Sequence, residues 1–232
     1  MSADLTPPPN VLLSGIVGSV AYGLDHEDSD VDRLGVFAAD TESLLRITRP
    51  LASGETVRPL ADTQYHEARK YLALALVANP TATELVWLPG HLFEVRTALG
   101  SALITLRHTF LSSAEVRHSY LDYATAQLRR MRGSTAAPRT AKHARHIARL
   151  LHQGQRLYRD GVLTVRLDDP QWYLDFGEKV AAGNVDLCEA LVADAEKAFQ
   201  KPSPLPERPD SEAAEAWLQM VRREHYATVA AR

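Results

Sequence analysis

Two aspartates one residue apart stand in the run Ser29-Asp30-Val31-Asp32, downstream of the small-residue pair Gly18-Ser19. Along an extended chain the side chains alternate with period two, so the carboxylates of Asp30 and Asp32 project from one face. Held that close they repel unless a cation lies between them, and hard oxygen ligands of this kind suit magnesium or manganese. The spacing therefore predicts a divalent-metal site.

Gly18-Ser19 offers the complementary half. A turn of small residues brings backbone amides close to a phosphate, and the Ser19 hydroxyl adds a donor without bulk. Metal-bound carboxylates and a phosphate cradle together describe phosphoryl transfer, in which cations neutralise triphosphate charge and align the attacking and leaving oxygens. Singly, each motif is common, and Asp25, Glu27, Asp28, Asp30 and Asp32 also read as a solvated acidic loop. The apolar flank of Val31, Leu34, Val36 and Phe37 argues against that loop.

These residues need elements to position them. Val11 to Val17 is a short apolar, β-branched run that reads as a buried strand ending at Gly18-Ser19. About one helical turn is predicted from Ser19 to Gly23, then a polar stretch, then a second strand over Val31 to Ala38. Residues 40 to 56 show no clear pattern beyond a short segment, Thr41 to Ile47. Asp62 to His66 reads as a strand or strand end, and Ala68 to Val77 as a helix stopped by Asn79-Pro80. A further helix is predicted through Leu85 to Leu88.

Beyond that point helix formers dominate. Amphipathic stretches cover Leu99 to Phe110, Ser113 to Met131, Lys142 to Arg159 and Val185 to Phe199, which predicts a helical bundle. Arg132 to Thr140 has the composition of a mobile loop, and Pro202 to Pro209 that of an extended tether. Glu212 to Ala227 has helical spacing and either docks on the body or lies outside it. The expected fold class is α+β: a small mixed sheet with flanking helices over 10–95, a helical subdomain over 96–200, and a tether with a C-terminal helix over 201–232.

Composition narrows the functional classes. The 232 residues are 45% apolar and 24% charged, an ordinary globular balance. No apolar run approaches the roughly 18 residues of a membrane span, and Met1 to Asn10 has neither a basic start nor a signal core, so the expectation is a cytoplasmic protein without a membrane partner. Cys188 is single and reads as a small apolar helix residue. The net charge of −3 gives no global attraction to nucleic acid, yet Arg129 to Arg166 is markedly basic.

Within that basic stretch Lys142, Arg145 and Arg149 recur at intervals of three and four and share a helix face, with His146 beside them. The stripe either meets a triphosphate or nucleic-acid backbone or is a solvated face. His143 and His146 have a spacing that suits a transition metal, but no neighbouring ligand completes a site. Trp172 and Tyr173, after Asp168-Asp169-Pro170, have ring faces that can stack on a base; the expectation is an aromatic turn packed on the bundle.

Gly18-Ser19-Val20-Ala21-Tyr22-Gly23 followed by Ser29-Asp30-Val31-Asp32-Arg33-Leu34-Gly35-Val36 resembles the DNA polymerase beta superfamily of nucleotidyltransferases. More narrowly it looks like the bacterial and phage nucleotidyltransferase branch associated with RNA ligases. Arg69 to Leu72, Asn79-Pro80-Thr81, Glu84-Leu85, Tyr123-Ala124 with Gln127, and Lys142-His143 through Arg149-Leu150 resemble that branch as well, so the likeness covers roughly residues 11 to 167. It implies a nucleotidyltransferase palm, Mg2+ or Mn2+ as cofactor, and transfer of a nucleoside monophosphate from a nucleoside triphosphate to a hydroxyl.

The resemblance also calls for a third carboxylate from a neighbouring strand. Asp62 matches best, Glu67 stands in reserve, and the competing reading of Asp62 is a turn or helix cap. The implied metal set is Asp30, Asp32 and Asp62, converging within bridging distance. The implied nucleotide contacts are Gly18, Ser19, Ser29, Lys142 and Arg149, the last two facing the Gly18-Ser19 turn. An RNA end is the acceptor suggested by the branch and the basic segment. Other classes remain open: a catalytically silent binder of nucleotide or nucleic acid, or an antitoxin-like protein partner, on the same fold.

Overall fold

In the computed structural model, which describes residues 7–45, 47, 56–132 and 137–226, the first apolar run is strand β1 (Val11–Ile16). Leu12 and Leu13 on it are almost completely buried, as a strand with neighbours on both edges requires. The other strands are β2 (Arg33–Phe37), β3 (Thr56–Leu60), β4 (Thr63–Glu67) and β5 (Phe93–Arg96), in the sheet order β3-β4-β2-β1-β5. β2 and β4 run parallel while the remaining pairs are antiparallel, so the sheet is mixed.

Helices α1 (Gly18–Tyr22), α2 (Thr41–Leu45), α3 (Ala68–Leu76), α4 (Pro80–Trp87) and α5 (Ala98–Thr105) follow or separate these strands. The class is α+β, as the sequence predicts. The chain divides into two compact units: one holds the residues up to Leu76, Thr81–Phe110 and the segment from Asp210; the other holds Val77–Pro80 and Leu111–Pro209. The segment 201–232 is thus shared between them.

In the first unit, helix α10 (Ser211–Glu224) is capped by Asp210, whose carboxylate accepts from the Ala213 amide at 3.0 Å. Trp217 is fully buried and its indole N–H donates to the Leu99 carbonyl at 3.0 Å. Arg222 grips both oxygens of Glu67 at 2.7 and 3.0 Å. The C-terminal helix is therefore docked in the sheet unit by an aromatic anchor and a bidentate ion pair.

The second unit consists of α6 (Ser113–Arg132), α7 (Ala137–Asp160), α8 (Pro170–Ala181) and α9 (Asp186–Ala198). Ala141, Ala144, Ile147, Ala148 and Leu151 of α7 are buried at helical spacing and form the face on which the neighbours pack. Cys188 is buried on α9, as its type suggests. Helix α7 starts at Ala137, inside the stretch expected to be a loop; residues 133–136 of that stretch lie outside the described residues. Residues 201–210 carry no helix or strand, but Ser113 donates its amide to Pro206 at 2.8 Å and the Tyr158 hydroxyl donates to Lys201 at 3.0 Å. Trp172 and Tyr173 do not lie in a turn: they belong to α8, which Asp169 caps at 3.1 Å and Pro170 opens at its first position.

Candidate active site

Gly18 has φ +70°, a conformation that L side chains rarely adopt, and it lies against the carboxylate of Asp32. A Cβ at position 18 would stand 2.1 Å from Asp32 Oδ2. The Val17 amide, one residue earlier, donates to the Asp32 carbonyl at 2.9 Å. The glycine of the first motif and the second aspartate of the other are thus one structural unit, and a side chain at position 18 would push the carboxylate aside.

Helix α1 starts at this junction with no side-chain cap at its N-terminus. Gly23 closes it in the left-handed conformation, its amide shared between the Ser19 and Val20 carbonyls. The Tyr22 hydroxyl reaches both oxygens of Glu84 at 2.7 Å, and Glu84, on α4, is buried. This contact fixes the short helix from its far end. Ser29 shapes the following loop: its Oγ accepts from the His26 amide at 2.9 Å, and its own amide donates to the His26 carbonyl at 2.9 Å.

Asp30 and Asp32 stand in the extended lead-in to β2, which begins at Arg33. Asp62 occupies the equivalent place before β4. Arg33 is paired with Thr63 in the parallel ladder, and the Arg33 amide donates to the Asp62 carbonyl at 2.7 Å. Asp32 thus precedes β2 and Asp62 closes the β3–β4 turn, each just outside two paired strands whose spacing is about 4.8 Å. Asp30 and Asp62 are exposed.

Glu67 is at the other end of β4, paired with Phe37, about 13 Å along the strand from Thr63 at the usual rise. Its carboxylate is committed to Arg222 and to the Arg69 amide at 2.8 Å. Asp62 is thus at the same end of the sheet as Asp32, and Glu67 at the opposite end. Among the described residues no three His, Cys, Asp or Glu side chains are gathered as a formed metal cluster. Asp30, Asp32 and Asp62 share one end of the sheet. Hard oxygen donors in this placement, beside a glycine cradle that a Cβ would fill, fit a divalent cation.

Arg33 carries a positive charge beside this end of the sheet and is held by Glu94 of β5, with Nε 2.9 Å from Oε1. Nothing in the spacing of Arg33 and Glu94, or of Tyr22 and Glu84, marks these pairs in the sequence; each bridges elements far apart in the chain. Farther along β4, burial and then the Arg58 and Lys70 charges push His66 down to about 4. Its Nδ1 meets the Thr56 hydroxyl at 3.0 Å and its Nε2 the Gln64 amide at 2.8 Å.

Lys142 and Arg149 belong to α7 of the helical unit. They do not form a uniform stripe: Lys142 is exposed, whereas Arg149 is buried and donates to Gln153 Oε1 at 2.7 Å. Burial, followed by the Arg149 charge, pushes neighbouring His146 down to about 3, so it is neutral near pH 7.

Among the described residues no helix is long and apolar enough to cross a membrane. No curated protein matches the chain. The family model described as "RNA repair pathway DNA polymerase beta family" (RlaP) matches residues 6–201, which include the sheet, the Gly18-Ser19 turn, all three aspartates and helices α1 to α9. The junction of Gly18 with Asp32 and the match over most of the chain agree, and this protein belongs to the RNA repair pathway DNA polymerase beta family.

Proposed function

We propose that this protein is a metal-dependent nucleotidyltransferase that moves a nucleoside monophosphate from a nucleoside triphosphate to a hydroxyl acceptor at an RNA end. The observation that carries the reading is the Asp32 carboxylate seated on Gly18, with Asp62 in the turn that leads into the neighbouring strand β4. Asp30, Asp32 and Asp62 are the residues that would hold Mg2+ or Mn2+. Bound there, the ion would supply Lewis-acid stabilisation of phosphate charge.

Gly18 and Ser19 present the uncapped first turn of α1 to the triphosphate, and Ser29 keeps the intervening loop in shape. Lys142 and Arg149 are the cations that the sequence resemblance implies for the nucleotide. Lys142 is the stronger of the two, because part of the Arg149 guanidinium is engaged by Gln153. In the reaction the acceptor oxygen would bond to the α-phosphorus, the bond from that phosphorus to the α–β bridging oxygen would break, pyrophosphate would leave with that oxygen, and the hydroxyl proton would pass to water.

RNA as acceptor draws on the family's RNA repair description and on the basic stretch from Arg129 to Arg166. The test presents the four labelled triphosphates, each with magnesium, to total RNA and to a protein extract. Label is expected on RNA. Label on protein alone would overturn the acceptor, and tight triphosphate binding without any product would favour a silent nucleotide binder.

A further inference from the structure

The segment after α7 alternates strictly. Leu163, Val165 and Leu167 are buried, while Thr164, Arg166 and Asp168 point outward. Gln153, itself 4% exposed, fixes this segment: its Nε2 donates to the carbonyls of Thr164 at 3.2 Å and Val165 at 3.0 Å, and its Oε1 accepts from Arg149. A cavity of about 380 Å³ opens between this segment, α7 and the start of α8. That volume is within the range of small-ligand sites.

Its lining is chemically mixed. Trp172 stacks one way on Phe176, with ring centres 5.1 Å apart and planes 17° apart, yet it remains 39% exposed and lines the cavity. The other two tryptophans, Trp87 and Trp217, are buried. His152 is tied to the Tyr173 hydroxyl at 2.8 Å, and burial lowers its pKa, which favours the neutral imidazole. Arg156 is paired with Asp168 at 2.9 Å, and Asp169 caps α8. Arg166 has no ion pair among the described residues, so its charge is available at the rim.

We propose that this cavity is a binding site for one unpaired ribonucleotide of an RNA strand. The base stacks on the open part of the Trp172 indole, as bases do on aromatic platforms in single-strand binding. The ribose 2′-hydroxyl donates to the outward carboxylate of Asp168 or Asp169, a contact that deoxyribose cannot make. The flanking phosphate meets Arg166. Neutral His152 and the Arg156–Asp168 pair leave Arg166 as the cation without a partner, so the site favours one stacked residue over a long backbone track. This reading rests on the proposed RNA acceptor for its biological sense, but its geometry lies entirely in the helical unit.

The test titrates the full chain with single-stranded pentaadenylate RNA, with the DNA of the same sequence, and with AMP, following tryptophan emission in the parent, and follows the anisotropy of end-labelled RNA and DNA for the parent and every variant. RNA is expected to quench emission and to bind at least about fivefold tighter than the DNA. Trp172→Leu should weaken RNA binding about tenfold, the low to middle range of a lost base stack, while Trp172→Phe retains most of it. Arg166→Gln, at an exposed position, should weaken RNA binding about threefold and reduce its salt dependence. Binding of magnesium and triphosphate should be unchanged in all three variants. Equal affinity for DNA, RNA binding indifferent to both Trp172→Leu and Arg166→Gln, or AMP binding without RNA binding would each overturn the proposal. The transferase reading would survive any of these results if labelled nucleotide were still incorporated.

Discussion

Asp32 Oδ2 lies 2.1 Å from where a Cβ of residue 18 would be, so a side chain at the turn and the carboxylate cannot both keep their places. Gly18→Ala must therefore displace the carboxylate and also strain a backbone at φ +70°. The expected cost is about 1–3 kcal/mol of stability and a fall in transfer of on the order of a hundredfold. Chemical denaturation and a nucleotide-transfer assay on the same preparation read both. An alanine variant with full activity would show that Asp32 need not occupy this place.

Glu67 and Asp62 should separate cleanly. Glu67→Gln leaves the half-buried Arg222 guanidinium without its charge partner and should cost about 3 kcal/mol, with part of the loss recovered in Glu67→Gln/Arg222→Met. It should leave the response to magnesium intact. Asp62→Asn should do the reverse, sparing stability and weakening the metal response. Thermal melts with and without magnesium on both variants decide which carboxylate belongs to the site.

Much of this site is legible in the sequence because its parts are local. Gly18-Ser19 and Asp30-x-Asp32 each sit at the end of a short apolar run, and β1 and β2 form where those runs are. What escapes is either at an edge or long-range. β3 and β5 are the two edge strands, and β3 carries Pro59, which weakens a strand pattern and is tolerated only at an edge. Asp168-Asp169-Pro170 reads as a turn, yet Asp169 is a cap and Pro170 a first helical residue, so the same letters open α8. The Glu67–Arg222 and Tyr22–Glu84 contacts join distant segments, and no spacing rule reaches them.

Acid should destabilise the sheet unit through His66. The unfolded imidazole takes up its proton near pH 6.5, whereas the folded one resists until about 4, so the unfolded state binds more protons between these values. The contribution of neutral His66 is present above about pH 6.5 and is lost as pH falls towards about 4. Urea unfolding across that window should show a shallower acid limb for His66→Gln than for the parent. Identical slopes would mean that His66 is not held neutral by the fold.

Divalent cations should stabilise the protein by mass action, because the fold gathers oxygens that the unfolded chain scatters. Magnesium or manganese is expected to raise the melting temperature, more at neutral than at mildly acidic pH, since protons compete for the same carboxylates. The increase should disappear in Asp30→Asn. An unchanged melting temperature with either ion, in the presence and absence of a nonhydrolysable triphosphate, would return Asp25 to Asp32 to the solvated-loop reading.

The aspartates at this end of the sheet are proposed to support nucleotidyl transfer. The most direct measurement is incorporation of labelled nucleotide into RNA by the purified chain as magnesium is titrated, with Asp30→Ala run in parallel. Incorporation is expected to rise with magnesium and to fall by on the order of a hundredfold or more in the variant. Incorporation that persists unchanged in folded Asp30→Ala, or that is independent of divalent metal in the parent, would contradict that role.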